Sequence, residues 1–201
     1  MNALANFNPS QSPWDVLELL ALLNGKGQSY EIGRGGAPKV TGLDVAGALA
    51  GLPDHIQRYA YLLAGAALRP ADTKRVGNAL KVKVRDDLAK SKTTPKTATL
   101  DKIAEGVARC ALVQRLKAKG ECTACHGVGK VRADVRMVAC GKCDGTGRAV
   151  YTLKERVEIV GLRISAVAYA KTWVAFEERA MSYIYEWDEL IRGNLKPLVS
   201  G

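Results

Sequence analysis

Val76, Leu80, Val84 and Leu88 recur every fourth residue, and Ile103, Val107, Cys110 or Ala111, and Leu116 follow one segment later at gaps of three to five. Such a period lines one face of a helix with apolar side chains. It predicts helices over 72–90, capped by Asp72, and over 100–119, capped by Thr99 and stopped by Gly120. Upstream, Ser12, Pro13 and Asp15 form a helix-start signal for 14–23, with Val16, Leu17, Leu20 and Leu23 facing a core before Asn24 and Gly25 end it. Further helices are predicted over 43–51 and 53–68, the second with Ile56, Tyr59, Ala60, Leu63 and Ala67 on one side and Arg69 and Pro70 as its stop. Residues 1–12 read as disordered, 25–42 as a glycine-rich loop, and 91–99 as a basic, Thr-rich linker. The stretch Gly33, Arg34, Gly35, Gly36 lacks the strand and helix that a phosphate-binding loop needs.

The period changes twice further on. From Val131 to Met137 apolar and polar residues alternate, which is a strand pattern. Thr152 with Glu155 forms a capping box that opens a helix over 153–160. Gly161 makes a turn, and a second helix starting at Ile164 or Ser165 is predicted to run to Arg192, before Gly193 and Asn194. Trp173, Phe176, Ala180, Ile184, Trp187 and Ile191 fall on one stripe of it, suited to a core or a subunit contact.

Residues 153–173 fit a helix-turn-helix template with Gly161 in the turn and Val160 and Leu162 beside it. On that template Val167 and Ala170 point inward, while Arg163, Ser165, Ala168, Tyr169, Lys171 and Thr172 point outward. Arg156 sits where the first helix is usually apolar, and Val157 where a small residue is usual. In a variant of the same reading, the cysteine-rich stretch is inserted between the helix ending near Lys119 and the later recognition helix.

That stretch carries the clearest chemistry. Cys122, Cys125, Gly127 and Gly129 are repeated in kind by Cys140, Cys143, Gly145 and Gly147, so both halves read C-x-x-C-x-G-x-G, with fourteen residues between Cys125 and Cys140. Two thiolate pairs on two tight turns close a tetrahedron around one Zn²⁺, and a site with four protein ligands is structural. The glycines allow backbone N–H groups to turn towards the sulfurs. Cys122 to His126 also spell the c-type haem string, and a redox pair, disulfides, or His126 as a ligand are the competing readings. The expected module, over 120–150, is a zinc ribbon or a pair of knuckles. Cys110, the remaining cysteine, reads as a core residue.

Charge narrows the partner. The net charge is +10, and residues 74–119 hold thirteen Lys and Arg against four Asp and Glu. Lys130, Arg132, Arg136, Lys142 and Arg148 make the edge of the cysteine module basic. These, with Arg163, Ser165 and Lys171, are the candidate contacts to DNA. No aromatic residues interleave with the module's cations, which disfavours single-strand stacking. Glu177, Glu178, Glu186, Asp188 and Glu189 form an acidic stretch that would repel a phosphate backbone, so Glu178, Glu186 and Glu189 are candidates for contact with a protein. No eighteen-residue apolar run and no secretion signal are visible, so the expectation is a cytoplasmic protein without a membrane partner. Two histidines and no assignable nucleophile–base pair give no support to an enzyme or a small-molecule substrate.

The expected fold is mainly α: a helical domain with an inserted four-cysteine zinc ribbon or knuckle module and a helix-turn-helix-like segment. Its predicted parts are an N-terminal extension (1–42), a helical region (43–119), the zinc module (120–150), and a C-terminal part with a long helix (151–201). The two C-x-x-C-x-G-x-G units resemble half of the four-unit zinc domain of DnaJ-type chaperones. The helices over 43–68, the helix before the cysteines, both cysteine strings and the segment through Trp173 together resemble the antitermination protein Q family of lambdoid phages, over about residues 40–190. That resemblance implies a non-enzymatic factor. Such a factor binds double-stranded DNA near the phage late promoter, engages paused host RNA polymerase and its sigma factor, and carries the polymerase through terminators. The alternatives are a zinc-dependent DNA-binding regulator without antitermination and a DnaJ-like protein-interaction module.

Overall fold

The computed structural model describes residues 16–24, 40–65, 70–91, 97–117, 119–133, 136–143, 145 and 147–198. The helix-start signal at Ser12–Asp15, the stop at Arg69, Ala67, most of the two predicted loops, and the side chains of Val16, Leu17 and Thr99 lie outside them. The fold is mainly helical, with eight α-helices and four short strands among the described residues. It divides into two compact units, residues 1–76 with 186–201, and residues 77–185.

The first unit contains α1 (Val16–Ala21), α2 (Gly42–Leu49), α3 (Asp54–Leu63), the first turns of α4 (Pro70–Lys90) and the end of α8 (Val174–Leu195). Thr41 and Asp44 form a capping box at the start of α2. Trp187 of α8 is buried between the ring of Tyr59, at 5.4 Å, and that of His55, at 5.2 Å, both edge-on. The Tyr59 hydroxyl donates to Asp188 Oδ1 at 2.9 Å. Asp72 does not cap α4. The helix begins two residues earlier, and Asp72 is buried in its first turn, where it accepts from Arg58 of α3. A buried carboxylate needs such a partner. At its other end α8 runs through Gly193 and Asn194, because Leu195 still has apolar burial to gain.

The second unit packs the rest of α4, α5 (Thr97–Leu116), α6 (Leu153–Val160), α7 (Ala166–Thr172) and the first half of α8, and includes the cysteine module. Val76, Leu80, Val84 and Leu88 of α4 are buried, as their period predicts, and so are Ile103, Val107, Cys110 and Ala111 of α5. Gly120, predicted as a helix stop, instead lies in a strand, and α5 ends at Leu116. Helices α5 and α6 touch at Gly106, where an added Cβ would stand 2.6 Å from the Val160 carbonyl oxygen. The Arg109 side chain donates to the Ile159 and Val160 carbonyls at 2.8 and 2.9 Å. These are orphan acceptors at the C-terminus of α6.

A buried polar cluster joins four of these helices, α5, α6, α7 and α8. Glu177 of α8 is only 3% exposed. Its Oε1 accepts from Gln114 of α5 at 2.7 Å and from Arg156 of α6 at 3.0 Å, and its Oε2 accepts from the Tyr169 hydroxyl of α7. This arrangement corrects three expectations. Arg156 is no misfit on α6, because it is the counter-ion of a buried carboxylate. Glu177 is no part of an acidic surface. Tyr169 is fully buried, while Val167 and Ala170 are exposed.

The same contact explains why the long second helix is interrupted at Trp173. On a straight helix, residues 169 and 177 would be offset by about 12 Å along the axis. Their side-chain oxygens meet here because α7 closes at Trp173 and α8 begins anew, with the Trp173 carbonyl accepting from the N–H groups of Phe176 and Glu177 at 3.1 Å. Burial first, and the Glu177 carboxylate second, push the Tyr169 hydroxyl well above the ordinary phenol range. Burial and Glu177 likewise raise the Cys110 thiol to about 12, so Cys110 stays protonated.

Glu177→Ala should destabilise the protein by about 3 kcal/mol, because it leaves the largely buried Arg156 without its counter-ion. Urea denaturation of the metal-loaded protein measures this, and Glu177→Gln, which keeps an acceptor for Tyr169, should cost less. Equal midpoints for wild type and Glu177→Ala would show that the cluster does not hold these helices.

Candidate metal centre

The module begins and ends on paired strands: β1 (Lys119–Glu121) is antiparallel to β4 (Arg148–Ala149). Between them the segment 131–137 forms two strands rather than one. β2 (Lys130–Ala133) pairs antiparallel with β3 (Arg136–Ala139), so that Val131 faces Val138 and Arg132 faces Met137.

The two cysteine turns are related by a shift of eighteen residues. Cys122 N–H donates to the Gly147 carbonyl at 2.8 Å, and Cys140 N–H donates to the Gly129 carbonyl at 2.9 Å. Gly129 N–H points to Cys125 Sγ at 3.2 Å, and Gly147 N–H to Cys143 Sγ at 3.3 Å. Each turn therefore braces the other and supplies one N–H to a sulfur. The glycines are required sterically. Gly129 and Gly147 have φ of +75° and +74°, and a Cβ on either would lie 2.2 or 2.1 Å from the carbonyl oxygen of Gly145 or Gly127.

All four sulfurs lie within 4.8 Å of one another, and all four cysteines are buried. Cys122 Sγ is 3.9 Å from Cys140 Sγ, and Cys125 Sγ is 3.7 Å from Cys143 Sγ. Tetrahedral sulfurs at the Zn–S bond length stand about 3.8 Å apart, so these thiols can hold one tetrahedral metal ion, and a zinc-sized ion fits. The separations are too long for disulfides, and all five cysteines are free. His126 is exposed, with a φ of +49°, and is not part of the cluster. The Ala124 N–H leads in drawing the Cys122 thiol down to about 7, whereas burial pushes Cys125 up to about 11. A coordinated cation overrides both influences, because a ligating thiol is deprotonated outright.

The basic candidates on the module are exposed. Lys130 and Arg132 share one face of β2, while Arg136 stands opposite Ala133. Lys142 donates to Thr123 Oγ1 at 2.9 Å, linking the two turns, and Arg148 stands opposite Glu121. Lys119 forms an ion pair with Glu155, tying β1 to the start of α6. That pair, with hydrogen bonds from Thr152, holds the Glu155 carboxyl down at about 2.

Of the other candidates, Arg163 and Lys171 are exposed, and Ser165 is the N-cap of α7, accepting from Ala168 N–H at 3.1 Å. Glu178, Glu186 and Glu189 are exposed on α8, and Glu189 forms an ion pair with Arg192. Much of the basic middle of the chain has structural partners. Lys81 lies 3.8 Å from Glu105, Arg85 lies 3.1 Å from Asp101, and Lys83 sits over the Tyr183 ring. No helix among the described residues is long and apolar enough to cross a membrane. The chain matches no family model and no curated protein.

Purified, reduced protein should carry one metal ion per chain, measured by elemental analysis. Cys125→Ser should lose it together with the ordered β2–β3 ribbon. Metal should also be released as the pH falls, because protons compete for the thiolates. Stoichiometric protein without metal that keeps native amide dispersion over 120–150 would overturn this.

Proposed function

We propose that the chain is a zinc-stabilised transcription factor that binds double-stranded DNA. The observation that carries the reading is the pairing of two elements in one compact unit. One is a closed four-thiolate module, which accounts for a single structural Zn²⁺. The other is the helix-turn-helix-like segment of α6, Gly161 and α7, where Gly161 adopts the left-handed conformation that the turn needs. Both present exposed cations: Lys130, Arg132, Arg136, Lys142 and Arg148 on the module, and Arg163 and Lys171 beside or on α7. A buried four-thiolate site leaves no open coordination position, so the role proposed for its metal is structural.

The resemblance to antitermination protein Q extends the proposal to a specific task in the cytoplasm of a phage-infected host. The factor binds DNA near the late promoter, engages RNA polymerase with its sigma factor, and promotes read-through of terminators. Glu178, Glu186 and Glu189 on α8 are the acidic groups proposed to meet basic polymerase surface, where complementarity mainly speeds association.

Joint charge reversal of Arg132, Arg136 and Lys171 should weaken DNA binding to all sequences and flatten its salt dependence. Reversal of Glu178, Glu186 and Glu189 should preserve DNA binding and lower terminator read-through in a purified transcription assay. Mobility shifts on late-promoter DNA at several salt concentrations, run beside that assay, separate the two effects. Unchanged DNA affinity in the first variant would refute the assigned interface. Absence of any DNA binding by the zinc-loaded chain would favour a DnaJ-like protein-interaction module.

A further inference from the structure

The orientation of α7 is set from inside, and this decides what it can offer outside. Tyr169 is fully buried against Glu177, while Trp173 and Val174 pack around the same cluster. At about 100° per residue, positions 167 and 171 lie about 160° to either side of Tyr169, so they are the pair most directly opposed to it. Val167 is 64% exposed and Lys171 is exposed. Ala168 and Ala170, also exposed, flank that pair. The outward face of α7 therefore has a β-branched apolar residue and a cation at its centre and methyl-sized residues at its sides. It carries no Asn, Gln, Arg, Asp or Glu.

Such a face is poorly suited to hydrogen-bond readout of base edges. Bidentate recognition of adenine needs Asn or Gln, and of guanine it needs Arg or Lys. The single long donor here, Lys171, lies in the last turn of α7, away from the N-terminal residues through which a recognition helix reaches base edges, and so suits a phosphate. Small flanking residues let the helix backbone approach a groove floor closely. An exposed branched aliphatic side chain has one favourable partner on a base edge in the major groove, the C5-methyl group of thymine. Arg163 and Lys171 supply charge complementarity to the flanking phosphates.

We infer that α7 reads thymine methyl groups through Val167, and that its sequence preference is apolar rather than hydrogen-bonded. This rests on the DNA-binding reading above and specifies it: the ligand of the α7 face is the major-groove edge of A·T pairs, contacted at the methyl.

The test uses the full, zinc-loaded chain. A duplex enriched from a randomised pool is synthesised again with deoxyuridine, which lacks only the C5-methyl, replacing thymidine at one position at a time. One or two positions should lose about three- to fivefold in affinity, the worth of one buried methyl. Val167→Ala is expected to fold normally, since the side chain is exposed. Its uracil penalty should be clearly smaller than that of wild type, since alanine keeps only one short methyl, with affinity for the uracil duplex close to that of wild type, so that the difference belongs to the Val167–methyl pair. Silent uracil substitutions at every position would overturn the inference while leaving DNA binding intact. So would a uracil penalty that persists unchanged in Val167→Ala. If no duplex is enriched, the DNA reading itself fails, and this inference with it.

Discussion

A carboxylate removed from water has to be matched by donors, and Glu177 collects them from three other helices. Gln114 on α5, Arg156 on α6 and Tyr169 on α7 all reach its two oxygens. A carboxylate in that position is costly unless its hydrogen bonds are made in full. The requirement acts as a register lock. It sets how far α6 slides along α5, which way α7 is rotated, and where α8 must start. The neighbouring contacts have the same directional character: Gly106 admits the Val160 carbonyl, and Arg109 closes the end of α6. Apolar burial alone would tolerate a slide or a rotation of these short helices, because it is not directional.

The cysteine module is organised on a different principle. Its strands bury little besides Val131, which packs against the sulfur cluster, and the β2–β3 ribbon is exposed almost throughout. An isolated two-stranded ribbon is marginal in water. What defines this one is the geometry at its base, where two glycine turns interlock through Gly129, Gly147 and their opposite carbonyls and bring four sulfurs to tetrahedral spacing. A metal ion held by these four thiols would therefore couple its binding to the folding of this part.

The same economy appears in the charges. The sequence is strongly basic, yet Lys81, Arg85, Arg109, Arg156 and Lys119 are directed at carboxylates or helix-end carbonyls. The exposed cations of α7 and of the ribbon are a small share of the thirty Lys and Arg in the chain. Net charge describes the long-range attraction of the chain for polyanions. Where that attraction acts depends on where the fold exposes its cations.

By itself the sequence determined whatever depends on local spacing. Two C-x-x-C-x-G-x-G strings close on themselves within a few residues, so their turns and the gathering of Cys122, Cys125, Cys140 and Cys143 could be read directly. The fourfold apolar period of α4 and α5 identified their buried faces, and Thr152 with Glu155 marked the start of α6. The tertiary structure alone decided the orientation of α7 and the break at Trp173. The apolar period passes through Trp173 without interruption, and on a seven-residue helix Val167 and Ala170 or Tyr169 serve equally well as the inner face. The choice follows from a single polar contact between residues on separate helices, Tyr169 to Glu177, in which a buried carboxylate takes the hydroxyl inward and leaves Val167 outside. Arg156 looked misplaced on α6 for the same reason: its counter-ion lies twenty-one residues away, beyond the reach of any helical period.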